Sequence, residues 1–318
     1  MLNLLFLALG IALLFAGGEA LIRGALAAAR RLGVSPLLSG LVIVGFGTSA
    51  PELVVSVDAA LHQQPDIAVG NVVGSNIGNI LLILGLSALI TPLAVQPLAL
   101  RRDAVIVVAI SLLFLLLVGG QGLGRPDALV LLSLLLAYLI LAWWTERDHS
   151  APAAQMHEAE ASELSRVPES ALWTTLNIGG GLLLLIVGSR VLLTGAIGIA
   201  ENYGVSEALI GLTLVAIGTS LPELSISVIA AIRRHADVAV GNILGSNIFN
   251  LLGILGISAL LQPLPVHARI LAFDQWVMLG SAVVLLLFLY TGRCLSRLEG
   301  GLLLAAYGLY LWLSISYF

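Results

Sequence analysis

The sequence predicts an all-α integral membrane protein, ten transmembrane helices arranged as two inverted five-helix repeats. Three observations carry that prediction. Of 318 residues, 59% are hydrophobic and only 10% charged, and mean hydropathy is +1.07, against about 45–50% apolar and 25% charged in soluble domains. Apolar runs of about 20 residues, enough to cross a hydrocarbon core of about 30 Å, recur along the whole chain. Finally, a stretch of 63 residues occurs twice.

The runs between polar or Gly/Pro breaks fall at 2–28, 34–61, 66–90, 103–119, 126–145, 171–200, 205–232, 237–261, 273–291 and 297–316. These lengths fit helices and exclude a β-barrel, whose strands are about 10 residues long and alternate apolar with polar. The first run opens Met-Leu-Asn with no cationic segment and ends near Glu19 and Arg23, so it reads as a span and not as a secretory signal. The domains expected are a first repeat over 1–145, a linker over 146–170 and a second repeat over 171–318. Six acids (Glu146, Asp148, Glu158, Glu160, Glu163, Glu169) against Arg147 and Arg166 give the linker the whole net charge of −4. Its Ala, Pro and Ser content suits a flexible connector, in which His149 and His157 are solvated.

All 14 cationic residues are Arg, and with a net negative chain no basic surface exists to bind nucleic acid. The lone Cys294 belongs to no metal-ligand spacing and reads as a small apolar residue. Loops after odd-numbered spans hold ten arginines (30, 31, 101, 102, 147, 166, 233, 234, 293, 297), whereas the other face has only Arg125 and Arg269. Positive-inside bias then places both termini outside and the linker in the cytoplasm.

Residues 33–95 and 204–266 align without a gap at an offset of 171, with 37 identities in 63 positions. Asp103 and Asp274, before the fourth and ninth spans, keep the same offset and extend the repeat to five spans. With an odd number of spans, the second copy enters the membrane from the opposite face. Such inverted repeats are a mark of secondary transporters, whose ion sites lie at the midplane between the repeats.

Each copy holds Gly-Thr-Ser-x-Pro-Glu mid-span: Gly47, Thr48, Ser49, Pro51 and Glu52, then Gly218, Thr219, Ser220, Pro222 and Glu223. An ionised Glu at the bilayer centre costs at least about 2.5–3.5 kcal/mol, so a duplicated pair calls for a compensating cation. Pro removes an amide donor, which is expected to leave carbonyls around Gly45–Gly47 and Ala216–Gly218 without helical partners. Thr48, Glu52 and Ser56 lie at i, i+4 and i+8 on one helix face, as do Thr219, Glu223 and Ser227. The next span adds Ser75, Asn76 and Asn79, mirrored by Ser246, Asn247 and Asn250. Every candidate ligand is an oxygen, which suits hard cations such as Ca²⁺ and Na⁺ and not zinc, copper or iron.

Other features read as structural. Gly70, Gly74 and Gly85 are expected to permit close helix packing. Glu19 and Arg23 are spaced to form an i,i+4 ion pair or to snorkel, Arg190 occupies the position equivalent to Glu19 and gating by the two is a second reading, and Asp58, opposite Ile229 in the repeat, reads as a vestibule or helix-end charge. The five histidines fall in loops.

The paired Gly-Thr-Ser-x-Pro-Glu and Gly-Asn-x-x-Gly-Ser-Asn-x-x-Asn blocks resemble the α-repeats of the cation/calcium antiporter superfamily, specifically prokaryotic sodium/calcium exchangers. The resemblance implies eight core helices past which the long first and sixth slide to alternate access. It implies a Ca²⁺ site of Glu52, Glu223 and the Thr48 and Thr219 carbonyls, with Gly45, Ser49, Ser75, Ala216, Ser220 and Ser246 helping to form Na⁺ sites. Asn79 and Asn250 are neutral where potassium-dependent relatives use an acid, so potassium co-transport is not expected. The proton/calcium branch has a Glu where this chain reads Gly-Ser-Asn, which makes a Ca²⁺/H⁺ antiporter the alternative. No enzyme activity or cofactor is expected; the ligands are transported Ca²⁺ and Na⁺ and the surroundings membrane lipid, in a prokaryotic inner membrane. The family's three Na⁺ per Ca²⁺ would move one net charge per cycle, worth about 2.3 kcal/mol per 100 mV. Intramembrane protease motifs are absent from the sequence.

Overall fold

The computed structural model describes residues 2–31, 45–94, 98–119, 122–146, 170–291 and 293–317. The start of the second span and nearly all of the linker, including His149 and His157, lie outside the described residues.

The first half contains α1 (Leu2–Arg31), α2 (Gly45–Thr48), α3 (Ala50–Leu61) and α4 (Pro65–Gly78), which runs on through a π-helical segment, Asn79–Leu84, into Gly85–Ile90. Then come strand β1 (Leu93–Ala94), α5 (Leu98–Val118) and α6 (Arg125–Glu146). The second half repeats the order. It has α7 (Ala171–Tyr203), α8 (Glu207–Ile210, π-helical Gly211–Val215, Ala216–Thr219), α9 (Leu221–Ile232) and α10 (Ala236–Phe249, π-helical Asn250–Ile254, Leu255–Leu261). It closes with α11 (π-helical Ile270–Asp274, then Gln275–Thr291), β2 (Cys294–Leu295) and α12 (Arg297–Tyr317).

Among the described residues seven helices are long and apolar enough to cross a membrane, or eight if the bent pair α8–α9 is one span. The other two predicted spans correspond to α5, which carries Arg101, Arg102 and Asp103 in its first two turns, and to the stretch ending in α3. The fold class is the expected one, and the differences are local. Spans two and seven break at Ser49 and Ser220, with φ/ψ of −86°/12° and −81°/14°, one residue before the Leu/Ala-Pro step. Between α8 and α9 the bend is 49°, because Pro222 can donate no amide to the carbonyl of Gly218. Spans three and eight are interrupted by π segments that begin at the paired Asn79 and Asn250. Such π segments often mark functional sites, and apolar periodicity does not reveal them.

Local chemistry sets the ends. Ser170 and Ser206 cap α7 and α8 by accepting the amides of Trp173 and Leu209 at 3.1 and 3.3 Å. Gly204, at φ +64°, closes α7 in the left-handed conformation that glycine adopts without cost.

Inversion is visible in the connections. β1 and β2 pair antiparallel, Leu93 with Leu295 and Ala94 with Cys294, and on the opposite face Leu123 and Leu264 exchange two hydrogen bonds of 2.9 Å. Leu264 is the mate of Leu93, and with the offset of 172 that relates Arg125 to Arg297 and Asp127 to Glu299, Leu123 is the mate of Leu295, so one contact is made twice, once per face.

α4 and α10 form the centre, with every residue from Ile67 to Gly78 buried. Outside them α1 and α7 pack against each other along glycines spaced by seven: Gly10, Gly17 and Gly24, and their mates Gly181, Gly188 and Gly195. A Cβ on Gly17 would stand 2.9 Å from the Gly181 carbonyl, and one on Gly188 would stand 2.9 Å from the Leu14 amide nitrogen. The two backbones are therefore in direct contact, as small residues permit in membranes. Gly70 and Gly85 serve close packing as expected, a Cβ on either lying 3.0 Å from the Ala208 and Gly300 carbonyls respectively.

Candidate ion-binding site

The breaks at Ser49 and Ser220 bring the first turns of α3 and α9 to the middle of the molecule, facing each other across the two repeats. The ten polar side chains expected at the site, Glu52, Glu223, Thr48, Thr219, Ser49, Ser220, Ser75, Ser246, Asn79 and Asn250, are all buried there. Each carboxylate is held by the other repeat's serine. Ser49 donates to Glu223 Oε1 at 2.9 Å and Ser220 to Glu52 Oε1 at 2.8 Å. Ser220 Oγ also lies 3.1 Å from Ser75 Oγ, whose hydroxyl reaches the Ala216 carbonyl at 3.5 Å. On the other side Ser246 Oγ is 3.4 Å from both Glu223 Oε1 and Thr48 Oγ1.

After these bonds the site has more acceptors than donors. Glu52 Oε2, Glu223 Oε2, Asn79 Oδ1 and both polar atoms of Asn250 are buried without a hydrogen-bond partner among the described residues. Neither glutamate forms an ion pair there. Buried acceptors left unmatched are costly, and a cation coordinated by oxygens is the partner that satisfies them. Beside Ser75, Ala216 and Ser220 lies a cavity of about 20 Å³, also lined by Gly74 and Gly78, large enough for one water-sized occupant.

One expectation needs correction. The Ala216 carbonyl is not freed by Pro222: it accepts the Ser220 amide at 3.1 Å and the Thr219 hydroxyl at 3.2 Å. Proline deprives the residue four positions earlier, Gly218, because the turn at Ser220 re-forms the bond to Ala216. Gly45 opens α2 and is drawn into none of the hydrogen bonds above. Glu19 does bond Arg23 within α1, while Arg190 turns to Asp58.

Sequence reasoning missed Asn71 and Asn242. Asn71 Nδ2 donates to the Glu52 carbonyl at 3.3 Å and to Ser56 Oγ at 3.0 Å, and its Oδ1 accepts the Thr219 hydroxyl at 3.1 Å. Asn242 repeats the first two bonds, to the Glu223 carbonyl and Ser227 Oγ, at 3.3 and 3.0 Å. Their duplication in the Gly-Asn pair of each block, four residues before Ser75 and Ser246, was the available signal. Likewise Asn247 joins the halves, accepting from Asn79 at 2.9 Å and donating to the Asn76 carbonyl at 3.3 Å. Asn71→Ala is expected to weaken cation binding by about 10-fold, as losses behind a ligand shell do, with a smaller loss for Asn71→Ser. Equilibrium Ca²⁺ binding to the purified protein checks this.

Comparison with known proteins gives the same answer. The family model described as "Sodium/calcium exchanger protein" matches residues 2–144 and 173–316. The chain is 38% identical over 317 residues to a "Putative antiporter CaxA" of Alkalimonas amylolytica, covering 98% of each chain. It is 33% identical over 336 residues to "Sodium/calcium exchanger MaX1" of Methanosarcina acetivorans, covering 96% of each. A solved structure of the sodium-calcium exchanger NCX_Mj, soaked with 2.5 mM Na⁺ and 0.1 mM Ca²⁺, superposes with a TM-score of 0.67 at 30% identity, covering 100% of this chain and 99% of that one. The chain belongs to the sodium/calcium exchanger family of membrane antiporters.

Proposed function

We propose that this protein exchanges Na⁺ for Ca²⁺ across the membrane by alternating access, with the two ions binding mutually exclusively around Glu52 and Glu223. The observation that supports this most is the buried carboxylate pair, duplicated by inversion, with unmatched oxygens and, among the described residues, no cationic side chain paired with it. Two negative charges are balanced by one Ca²⁺ or by two Na⁺, and the neutral oxygens of Ser49, Ser75, Ser220, Ser246, Asn79 and Asn250 complete either shell. The main-chain carbonyls of Thr48 and Thr219, four residues before the glutamates, serve as further ligands, whereas the Ala216 carbonyl already accepts the Ser220 amide and the Thr219 hydroxyl.

Movement belongs to the α1–α7 pair. Its backbones pack in direct contact, and it meets the kinks through small residues: a Cβ on Gly18 would lie 3.3 Å from Pro51, and one on Gly218 would lie 2.7 Å from Ile11. A rigid pair sliding over such a surface covers the pocket from one side and then the other. The arginine distribution supports an orientation with both termini outside and the linker in the cytoplasm, and a prokaryotic inner membrane is the proposed location.

Neutral Asn79 and Asn250 disfavour K⁺ co-transport, and Gly-Ser-Asn at 74–76 and 245–247, where the proton/calcium branch has a Glu, favours Na⁺ over H⁺ as the coupling ion. In proteoliposomes, ⁴⁵Ca²⁺ uptake is expected to follow an outward Na⁺ gradient and to be inhibited by acid, since protons compete for the carboxylates. Uptake driven by a pH gradient at zero Na⁺ would instead establish Ca²⁺/H⁺ antiport.

A further inference from the structure

Asp58 is the acid of α3 that has no mate in α9, where the equivalent residue is Ile229. Its carboxylate is held from α7. Ser189, fully buried, donates to Asp58 Oδ2 at 3.0 Å, and Arg190 Nη2 stands 3.7 Å from Oδ1. His62, at the end of α3, places Nδ1 3.1 Å from the same Oδ1. The Asp58 side chain is only 15% exposed against 63% for Arg190, so the serine bond is sheltered and the arginine pair is weakened by solvent.

Every component of this contact is replaced in the other half. The inverted mates of Asp58, His62, Ser189 and Arg190 are Ile229, Arg233, Gly18 and Glu19. Ile229 and Gly18 have no polar side-chain atom, and Glu19 bonds Arg23 of its own helix. The α1–α7 pair is therefore tied to the core at α3, and the same tie cannot form at α9. Ile229 is correspondingly 45% exposed.

We propose that Asp58, Ser189 and Arg190 form a one-sided latch. It holds the α1–α7 pair against the core on the face carrying the 62–64 loop, the extracellular face by arginine distribution, and favours the access state closed there. In an inverted-repeat transporter a pseudo-two-fold axis in the membrane plane relates the two halves, so the two access states exchange equivalent contacts between them. An interaction that only one half makes enters directly as a difference in stability between them. This role rests on the alternating-access reading above, and it adds a residue set outside the ion site that sets which face is preferred.

The test uses the full-length protein with Asp58→Ile, which copies the mate, and Ser189→Gly, which copies Gly18 and disturbs packing less. In purified protein, hydrogen exchange needs no transport. The latch predicts several-fold faster exchange at amides 54–61 of α3, with amides 224–232 of α9 unchanged. In reconstituted vesicles, the ratio of half-maximal Ca²⁺ concentrations on the two faces should shift about three- to tenfold in favour of the latch face. The reversal Asp58→Arg with Arg190→Asp should recover part of the shift. Exchange that is unchanged, or raised equally at α3 and α9, overturns the latch, as does a ratio that stays fixed while both concentrations move together. If wild-type Ca²⁺ flux ignores Na⁺, the Na⁺ exchange reading fails, and hydrogen exchange still decides the latch.

Discussion

Glu52→Gln and Glu223→Gln are each expected to reduce Ca²⁺ flux by about 100-fold or more while leaving the protein folded. Glutamine keeps the shape and an acceptor for the Ser220 or Ser49 hydroxyl, at 2.8 and 2.9 Å from the carboxylates. What disappears is one of two formal charges available to a divalent ion, and affinity for Ca²⁺ depends strongly on that count. A 100-fold loss corresponds to about 2.7 kcal/mol. Because a buried unpaired carboxylate is itself costly, the ion-free variants should melt no lower than the wild type. Saturating Ca²⁺ at about 100 times its Kd should raise wild-type stability by about 2.7 kcal/mol and that of the variants hardly at all. Melting curves with and without Ca²⁺ separate a lost ligand from a damaged fold.

The second large effect is expected at the glycine seam. Gly188→Leu or Gly17→Leu places a full side chain where a Cβ alone would come within 2.9 Å of the partner helix. The helices must part, at a cost of several kcal/mol in packing. Loss of folded, transport-competent protein is expected, read by detergent-solubilised yield and melting temperature. Gly180→Ala on the same helix is the control, since nothing lies within 4 Å of its Cβ. There, relief of glycine's poor helix propensity should leave stability equal or raise it by up to about 1 kcal/mol.

Most of this architecture was legible because duplication is a strong signal. Glu52 and Glu223 stand out as carboxylates repeated mid-span in both halves, inside the Gly-Thr-Ser-x-Pro-Glu block. The cross-repeat serine bonds were not legible, since they depend on where two kinks meet and helical spacing describes only one helix at a time. For the same reason Asn71 was passed over: its side chain spans from the Glu52 carbonyl to Thr219 of the other half. The glycine heptads of α1 and α7 were present in the sequence but lay outside the aligned 63 residues. Without a mate, Asp58 reads from sequence as a vestibule or helix-end charge, whereas that lack is what makes its contact with α7 one-sided.

The central claim is that Ca²⁺ and Na⁺ cannot occupy the pocket together. Equilibrium ⁴⁵Ca²⁺ binding to purified protein, titrated with Na⁺ at constant ionic strength, tests it without any transport step. The account predicts that the apparent Kd for Ca²⁺ rises with Na⁺ concentration to a power above one, since several Na⁺ displace each Ca²⁺, and that choline in place of Na⁺ has no such effect. A Ca²⁺ affinity that stays constant across the Na⁺ series would contradict it.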